Sequence, residues 1–116
     1  GVVAYSPMQK GLLTGKFTPE YLKTLSPDDH RVRSDPNFRE PQFSRNTRII
    51  DQLKHLAGGL GLSVAQLAIA WILRRPEVTS AIVGARRKGQ IQETAAAGEV
   101  QLDAAVREQI EEILRA

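Results

Sequence analysis

The fold is decided by residues 78–83, Val-Thr-Ser-Ala-Ile-Val, a short run that is rich in β-branched residues. Such a run predicts a β-strand, here between Pro76 and Gly84. A second run, Val-Val-Ala-Tyr, occupies residues 2–5 and is closed by Ser6-Pro7. Because this run is apolar throughout, it predicts a buried strand of a parallel sheet.

Two helices are predicted between these strands. The first covers residues 46–57, where apolar side chains recur at helical spacing, with Asn46 as the N-cap and a glycine-rich stop signal at 58–61. The second begins at Ser63, which forms an S-x-x-Q capping box with Gln66. Residues 67–73 are all apolar, so this helix is expected to be buried on several sides.

The remaining segments are a long connection and two further helices. Residues 7–45 hold five of the six prolines and predict an irregular connection, a kind of segment that often carries function. A short helix is expected over residues 88–97, and a last helix is expected to begin near Asp103, a good N-cap.

Strands that alternate with helices predict a parallel sheet with crossover helices. Two strands alone would leave apolar edges unpaired. Two interpretations stay open: a small α/β domain that pairs with a second copy of itself, or the tail of a larger parallel sheet or barrel. We favour the second, and the apolar run at residues 2–5, which no Met precedes, indicates that the chain was cut from something longer.

Composition narrows the class of protein. The chain has 16 Lys and Arg and 13 Asp and Glu, which gives a net charge of +3. The dense basic cluster Arg86-Arg87-Lys88 indicates a local anion site rather than a nucleic-acid-binding face.

The chain has no cysteine, which excludes disulfides and thiolate ligands and suits a cytoplasmic location. No apolar run reaches 18 residues, so no membrane span is expected. His30 and His55 lack metal-ligand spacing and are expected to be solvated.

Candidate site residues follow both predicted strands, where parallel α/β folds bind their ligands. Tyr5 offers an aromatic face for a flat heterocycle, and Ser6 and Lys16 offer phosphate donors. Gly84 and the basic cluster precede a predicted helix N-terminus, which favours anions. Gln90, Glu93 and Thr94 follow at helical spacing and could contact the edge of a base. The structural alternatives are a core tyrosine before a proline turn and a solvated basic helix turn.

Residues 56–71 also allow a different hypothesis, a helix-turn-helix DNA binder. A recognition helix must present polar side chains to base edges, whereas here Gln66 is followed by apolar residues only. This hypothesis is therefore disfavoured.

Taken in order, these motifs resemble the C-terminal part of the aldo-keto reductases, most closely the bacterial branches related to the potassium-channel β-subunits. The motifs that carry the resemblance are Ala4–Met8, Gly11–Lys16, Asp28–Arg31, Pro36-x-Phe38, Ser63–Trp71 and Ile82–Arg86 with Gln90 and Glu93. The resemblance covers essentially the whole chain and implies an α/β fold: the last two βα units of a (β/α)₈ TIM barrel with a C-terminal helix. Residues 1–116 would form one segment of that barrel domain, with a cofactor-binding loop (7–45), helices (46–75), the last strand and helix (78–97) and a C-terminal helix (103–116).

The resemblance also implies a function, namely the cofactor-binding half-site of an NADPH-dependent oxidoreductase that reduces aldehydes or ketones. The residues implied are Tyr5 stacked on the nicotinamide; Ser6, Pro7, Met8 and Gly11 along the pyrophosphate; Lys16 on a phosphate; Arg31 on the closing loop; Gly84 and Arg86 at the adenosine 2′-phosphate; and Gln90, Glu93 and Thr94 at the adenine. Arg87 is the alternative to Arg86, and Arg33 to Arg31. The chain departs from the family at Thr94, commonly Asn, at Met8, commonly Leu, and at Val83, commonly Pro.

Catalysis in this family uses an Asp, a Tyr, a Lys and a His from earlier strands, and this chain has none of those positions. Tyr5 matches the stacking position and not the acid, so the chain alone is expected to be inactive. Its implied partners are a carbonyl substrate and the missing N-terminal part of the barrel, with no nucleic acid or membrane, and a homo-oligomer stays open. The alternative function is a non-catalytic, NADPH-binding regulatory module.

Overall fold

The computed structural model describes residues 1–115. Within them, two strands, β1 (Val2–Ala4) and β2 (Val78–Ala81), pair in parallel. Val2 stands opposite Val78 and Ala4 opposite Ala81, with an irregularity in the ladder between Val2 and Val3. The predicted parallel pairing is therefore confirmed, and the chain between the strands forms a long crossover rather than a hairpin.

The connection after β1 is more regular than the sequence predicts. It contains two short helices, α1 (Pro19–Lys23) and α2 (His30–Arg33), and 3₁₀ turns at Leu12–Thr14 and Pro36–Phe38. The hydroxyl of Thr18 accepts the amide of Tyr21 at the start of α1, and a carboxylate oxygen of Asp29 accepts the amide of Arg31 at the start of α2. The expectation of an irregular connection was wrong here, because helices of four or five residues are too short to show a hydrophobic period.

Helix α3 (Gln42–Gly59) begins before the predicted residue 46, with Pro41 at its N-cap. Asn46 is therefore not the cap; it lies inside the helix, and its Nδ2 donates to the carbonyl of Asn37 at 3.2 Å. The glycine stop is confirmed. Gly61 has φ +71°, and the amides of Gly61 and Leu62 donate to the carbonyls of Gly58 and Ala57 in a Schellman arrangement.

Helix α4 (Val64–Leu73) begins with the predicted capping box: the hydroxyl of Ser63 accepts the amide of Gln66 at 3.1 Å, and Oε1 of Gln66 accepts the amide of Ser63 at 3.0 Å. No residue of α4 is exposed, so its burial on several sides is confirmed. A helix without an exposed face cannot read DNA bases, which argues against the helix-turn-helix hypothesis.

Two further helices follow β2, namely α5 (Gln90–Ala96), which continues into a 3₁₀ turn at Ala97–Glu99, and α6 (Ala104–Arg115). α5 begins later than the predicted residue 88, with Gly89 as its N-cap. The predicted role of Asp103 is confirmed, because its Oδ1 accepts the amide of Val106 at 2.8 Å.

The main hydrophobic core lies where α3, α4, α6 and the connection meet. Its buried members are Leu12, Phe17, Phe38, Phe43, Ile50, Leu53, Ala57, Val64, Leu67, Ala70, Leu102 and Ile110. Trp71 is half-buried at the edge of this core, and the guanidinium of Arg74 lies 3.3 Å from the centre of its ring. This core holds in place the segments that follow both strands.

The two strands themselves are less buried than predicted. Val2 and Val3 are 50% and 56% exposed, so the expectation of a buried strand at residues 2–5 was wrong for this chain. The reason is that the side chains of a strand project from the two faces of the sheet, and the described part of the chain leaves Val2 and Val3 largely uncovered on those faces. No single helix within residues 1–115 has the length and apolar composition to cross a membrane, and α3 and α4 meet that test only jointly, as a pair bent by 90°.

Candidate functional site

A cleft of about 800 Å³ opens beyond the carboxyl ends of β1 and β2. Its walls are the segment that follows β1, the loop that follows β2, one side of α5, and the first turn of α4. Clefts of this size accommodate small molecules and cofactors, and parallel α/β folds place them at this end of the strands.

The structure brings together all the predicted site residues except Tyr5. The cleft is lined by Ser6, Pro7, Met8, Gly11, Lys16, Arg31, Gly84, Arg86, Gln90, Glu93 and Thr94. Tyr5 follows β1 directly, is 81% exposed and lies outside this lining. Of the alternative arginines, Arg87 lines the cleft beside Arg86, whereas Arg33 does not reach it.

Several cleft residues were missed by the sequence analysis as site residues, notably Lys10, Asp29 and Ser63. Lys10 gave no usable signal, since a lone lysine in a loop is usually solvated. Ser63 was interpreted only as a helix cap, and it serves as one while also facing the cleft. His30 lies at the exposed rim of the cleft, where its Nδ1 is 2.8 Å from the hydroxyl of Ser34.

The backbone is strained along the wall that follows β1. Three non-glycine residues have positive φ: Ser6 at 52°, Gln9 at 48° and Lys10 at 57°. Gly11 follows with φ +91°, and a Cβ there would lie 3.2 Å from Cε2 of Phe17. Only glycine fits this position without a shift of its neighbour, and backbone strain of this kind is concentrated at functional sites.

Arg31 is held at the cleft by a two-point ion pair. Its Nη2 and Nε lie 2.8 Å and 3.0 Å from the two carboxylate oxygens of Asp29, and its guanidinium lies 5.1 Å from the centre of the Phe17 ring. Its Nη1 also donates to the carbonyl of Lys10 at 3.3 Å. The side-chain hydrogen bonds from Arg31, joined by its backbone amide, lower the pKa of Asp29 from 3.8 to about 2. Asp29 therefore stays ionised and fixes the guanidinium in the wall.

The loop after β2 is arranged differently from the prediction. Because α5 begins at Gln90, the cations Arg86, Arg87 and Lys88 precede the helix rather than form its first turn. Their local geometry is set by Gln90, whose Oε1 accepts the amides of Arg86 at 2.7 Å and Arg87 at 3.3 Å.

The side of α5 that faces the cleft carries Gln90, Glu93 and Thr94. The hydroxyl of Thr94 is buried and donates to the carbonyl of Gln90 at 3.1 Å. Its donor is thus used within the helix, and a ligand would meet mainly the side chains of Gln90 and Glu93.

The charges around the cleft favour an anion. Within residues 1–115, Arg31 and Lys10 are paired with Asp29 and Asp35, whereas Lys16, Arg86 and Arg87 form no ion pair. Three unpaired cations, supplied by the segment after β1 and by the loop after β2, are suited to a ligand with more than one phosphate.

Comparison with known proteins matches residues 1–115 to the Aldo/keto reductase family. Among curated relatives, an aldo-keto reductase of Bacillus subtilis is 43% identical over 76% of this chain, and a probable voltage-gated potassium channel subunit beta of Arabidopsis thaliana is 37% identical over 86% of it. Among solved structures, a glycerol dehydrogenase of Gluconobacter oxydans superposes on 97% of the chain with a TM-score of 0.85 at 33% identity. The chain spans 26% and 30% of those two relatives and 33% of that solved chain.

Proposed function

This chain belongs to the aldo/keto reductase family, and from that premise we propose that it supplies the cofactor-binding half-site of an NADPH-dependent reductase of aldehydes or ketones. The observation that carries the proposal is the cleft at the strand ends, whose walls present Lys16, Arg86 and Arg87 without an acidic partner among residues 1–115. The preference for NADPH over NADH follows from the two adjacent arginines, because a 2′-phosphate is a dianion that bidentate guanidinium groups bind well.

The residues present fit a dinucleotide in volume and in charge. The cleft holds about 800 Å³, and its cations come from both the segment after β1 and the loop after β2, as two separated phosphate groups require. Lys16 would contact a phosphate, Arg86 or Arg87 the 2′-phosphate, and Gln90 and Glu93 the adenine. Tyr5 lies outside the lining, so stacking on the nicotinamide ring would require that its exposed ring turn towards the cleft.

The chemistry divides between the cofactor and the protein. When bound, the reduced nicotinamide supplies a hydride for the carbonyl carbon of the substrate. The residues of this chain bind and orient the phosphates and the adenine, and Asp29 keeps Arg31 in place at the rim. The proton for the carbonyl oxygen would come from an acid in the part of the relatives that this chain does not span.

The fold supports a placement within a barrel. We infer that the chain forms the last two βα units of a (β/α)₈ barrel with its C-terminal helix, and that further parts of the barrel pair with its strand edges and cover the exposed Val2, Val3 and Ile82. The intact mass of the protein as isolated tests this. A mass two to three times the 12.8 kDa of this chain is expected, as a whole barrel requires, and a mass of 12.8 kDa would contradict it.

A second function has specific support. The relative named as a potassium channel subunit beta makes a regulatory NADPH-binding module the main alternative to a reductase. Turnover distinguishes the two. The full-length protein is mixed with NADPH and a panel of aldehydes and ketones, and oxidation of NADPH is followed by absorbance. Substrate-dependent oxidation supports the reductase, and tight NADPH binding without oxidation of any panel member supports the module.

A further inference from the structure

The side-chain amide of Gln66 makes hydrogen bonds at both of its ends. Its Oε1 accepts the amide of Ser63 at 3.0 Å and so completes the capping box of α4. Its Nε2 donates to the backbone carbonyl of Glu93 at 2.9 Å, across 27 residues of sequence. One side chain therefore joins the first turn of α4 to the middle of α5.

Helix α5 is short and has no side-chain N-cap, so a hydrogen bond from another element matters for its stability. It spans seven residues, and its N-cap, Gly89, provides no side-chain hydrogen bond. The last four carbonyls of a helix have no partner within it, and the carbonyl of Glu93 is the first of these in α5. The amide of Ala97 donates to the carbonyls of Thr94 and Ala95, and Gln66 supplies the donor for Glu93.

The position of α5 determines one wall of the cleft, because Gln90, Glu93 and Thr94 all line it. Gln66 itself does not line the cleft. We propose that Gln66 is a positioning residue, which fixes α5 against α4 and thereby sets the affinity of the cleft for its ligand. The proposal rests on the proposed function in taking that ligand to be NADPH.

The chemistry of the amide predicts that glutamine can make both contacts and that glutamate cannot. A glutamate at this position would keep an acceptor for the Ser63 amide, so the capping box would survive. It would lose the donor and would place a carboxylate oxygen beside the carbonyl of Glu93. Gln66→Glu is therefore the informative variant. The matched control is Gln92→Glu, which adds the same charge to an exposed position of α5 outside the cleft lining.

The first measurement is amide hydrogen exchange in the full-length protein without ligand. In Gln66→Glu, exchange in residues 93–99 is expected to accelerate about tenfold, equivalent to about 1.4 kcal/mol. Exchange in the first turn of α4 and in the Gln92→Glu control is expected to stay as in the unmodified protein. Unchanged exchange in residues 93–99, or equal acceleration throughout the chain, would overturn the proposal.

The second measurement separates positioning from mere stability. The KM and Kd for NADPH are expected to rise about tenfold in Gln66→Glu while kcat at saturating NADPH is unchanged, because the lost contact acts on binding and not on the reacting atoms. An unchanged Kd despite faster exchange in α5 would overturn the link between Gln66 and the cleft. If the unmodified protein failed to bind NADPH, the proposed function would fail, and the exchange measurement would still decide whether Gln66 fixes α5.

Discussion

Lys10 and Asp35 are 25 residues apart in sequence, yet Nζ of Lys10 lies 2.8 Å from Oδ2 of Asp35. Asp35 is buried, and its other carboxylate oxygen accepts the backbone and side-chain amides of Asn37. Burial alone would raise the pKa of this carboxyl, but the hydrogen bonds from Lys10 and Asn37 outweigh it and lower the pKa. The pair therefore holds Lys10, in the wall of the cleft, against a buried carboxylate.

Removal of this carboxylate should destabilise the protein. Asp35→Ala is expected to lower the free energy of unfolding by about 1–3 kcal/mol, because the partly buried donors of Lys10 and Asn37 lose their acceptor. Urea denaturation measures the effect. Asp51→Ala, at an exposed position of α3, is the control and should change stability by less than about 0.5 kcal/mol. Equal losses of unfolding free energy in the two variants would show that the buried pair of Lys10 and Asp35 stabilises the protein no more than an exposed carboxylate does.

The pair of Arg31 and Asp29 predicts a dependence on acid pH. Because the folded pKa of Asp29, about 2, lies below its ordinary 3.8, the pair contributes stability above pH 3.8 and loses it as the pH falls towards 2. The carbon-13 shift of the Asp29 carboxyl should titrate with a midpoint near 2. In Arg31→Ala the midpoint should return towards 3.8. A midpoint that stays the same in both proteins would refute the assigned cause.

The larger elements could be predicted from sequence because each carries its own local signal. The capping box of Ser63 and Gln66, the stop at Gly61 and the cap at Asp103 are short-range hydrogen-bonding patterns, and all three are present. The start of α3 was missed because its first turn, over residues 42–45, holds a single apolar side chain, Phe43, which is buried in the core. Tertiary packing, and not local pattern, decides that boundary.

The candidate site was predictable as a set of residues and not as a geometry. Sequence order places the residues after β1 and those after β2 at one end of the sheet, and the structure brings them to one cleft. The partnership of Lys10 with Asp35 and the link from Gln66 to Glu93 join segments 25 and 27 residues apart, and no local pattern encodes such contacts. The exposure of Tyr5 could likewise not be predicted from the apolar run at residues 2–5.

Gly11 should tolerate no side chain. Gly11→Ala is expected to destabilise the protein by about 1–3 kcal/mol, since its φ of +91° and the nearby Phe17 ring both disfavour a Cβ. Gly58→Ala is the matched control, because this helical glycine has open space around it. That variant should raise stability by about 0.5–1 kcal/mol through helix propensity. Thermal unfolding compares the two variants. A Gly11→Ala protein as stable as Gly58→Ala would contradict the claim that the backbone at Gly11 disfavours a side chain.

Arg31 and Arg33 should differ in their effect on cofactor binding. Arg31 lines the cleft and Arg33 does not. Arg31→Ala is expected to weaken NADPH binding by about tenfold, the loss of roughly one charge-assisted hydrogen bond. Arg33→Ala should leave the Kd unchanged, and isothermal titration calorimetry measures both. The reverse ranking would assign the closing role to Arg33.

The central claim is that the cleft binds NADPH through the cations that line its walls. The most direct test is to measure the Kd for NADPH and for NADH in the full-length protein and in its Arg86→Ala and Arg87→Ala variants. At least one of the two variants should lose about tenfold or more in NADPH affinity while its NADH affinity changes little, because only NADPH carries the 2′-phosphate. Arg45→Ala, at an exposed position of α3, is the control and should bind both cofactors as the unmodified protein does. Equal losses for NADPH and NADH in both variants, or no binding of either cofactor by the unmodified protein, would contradict the account.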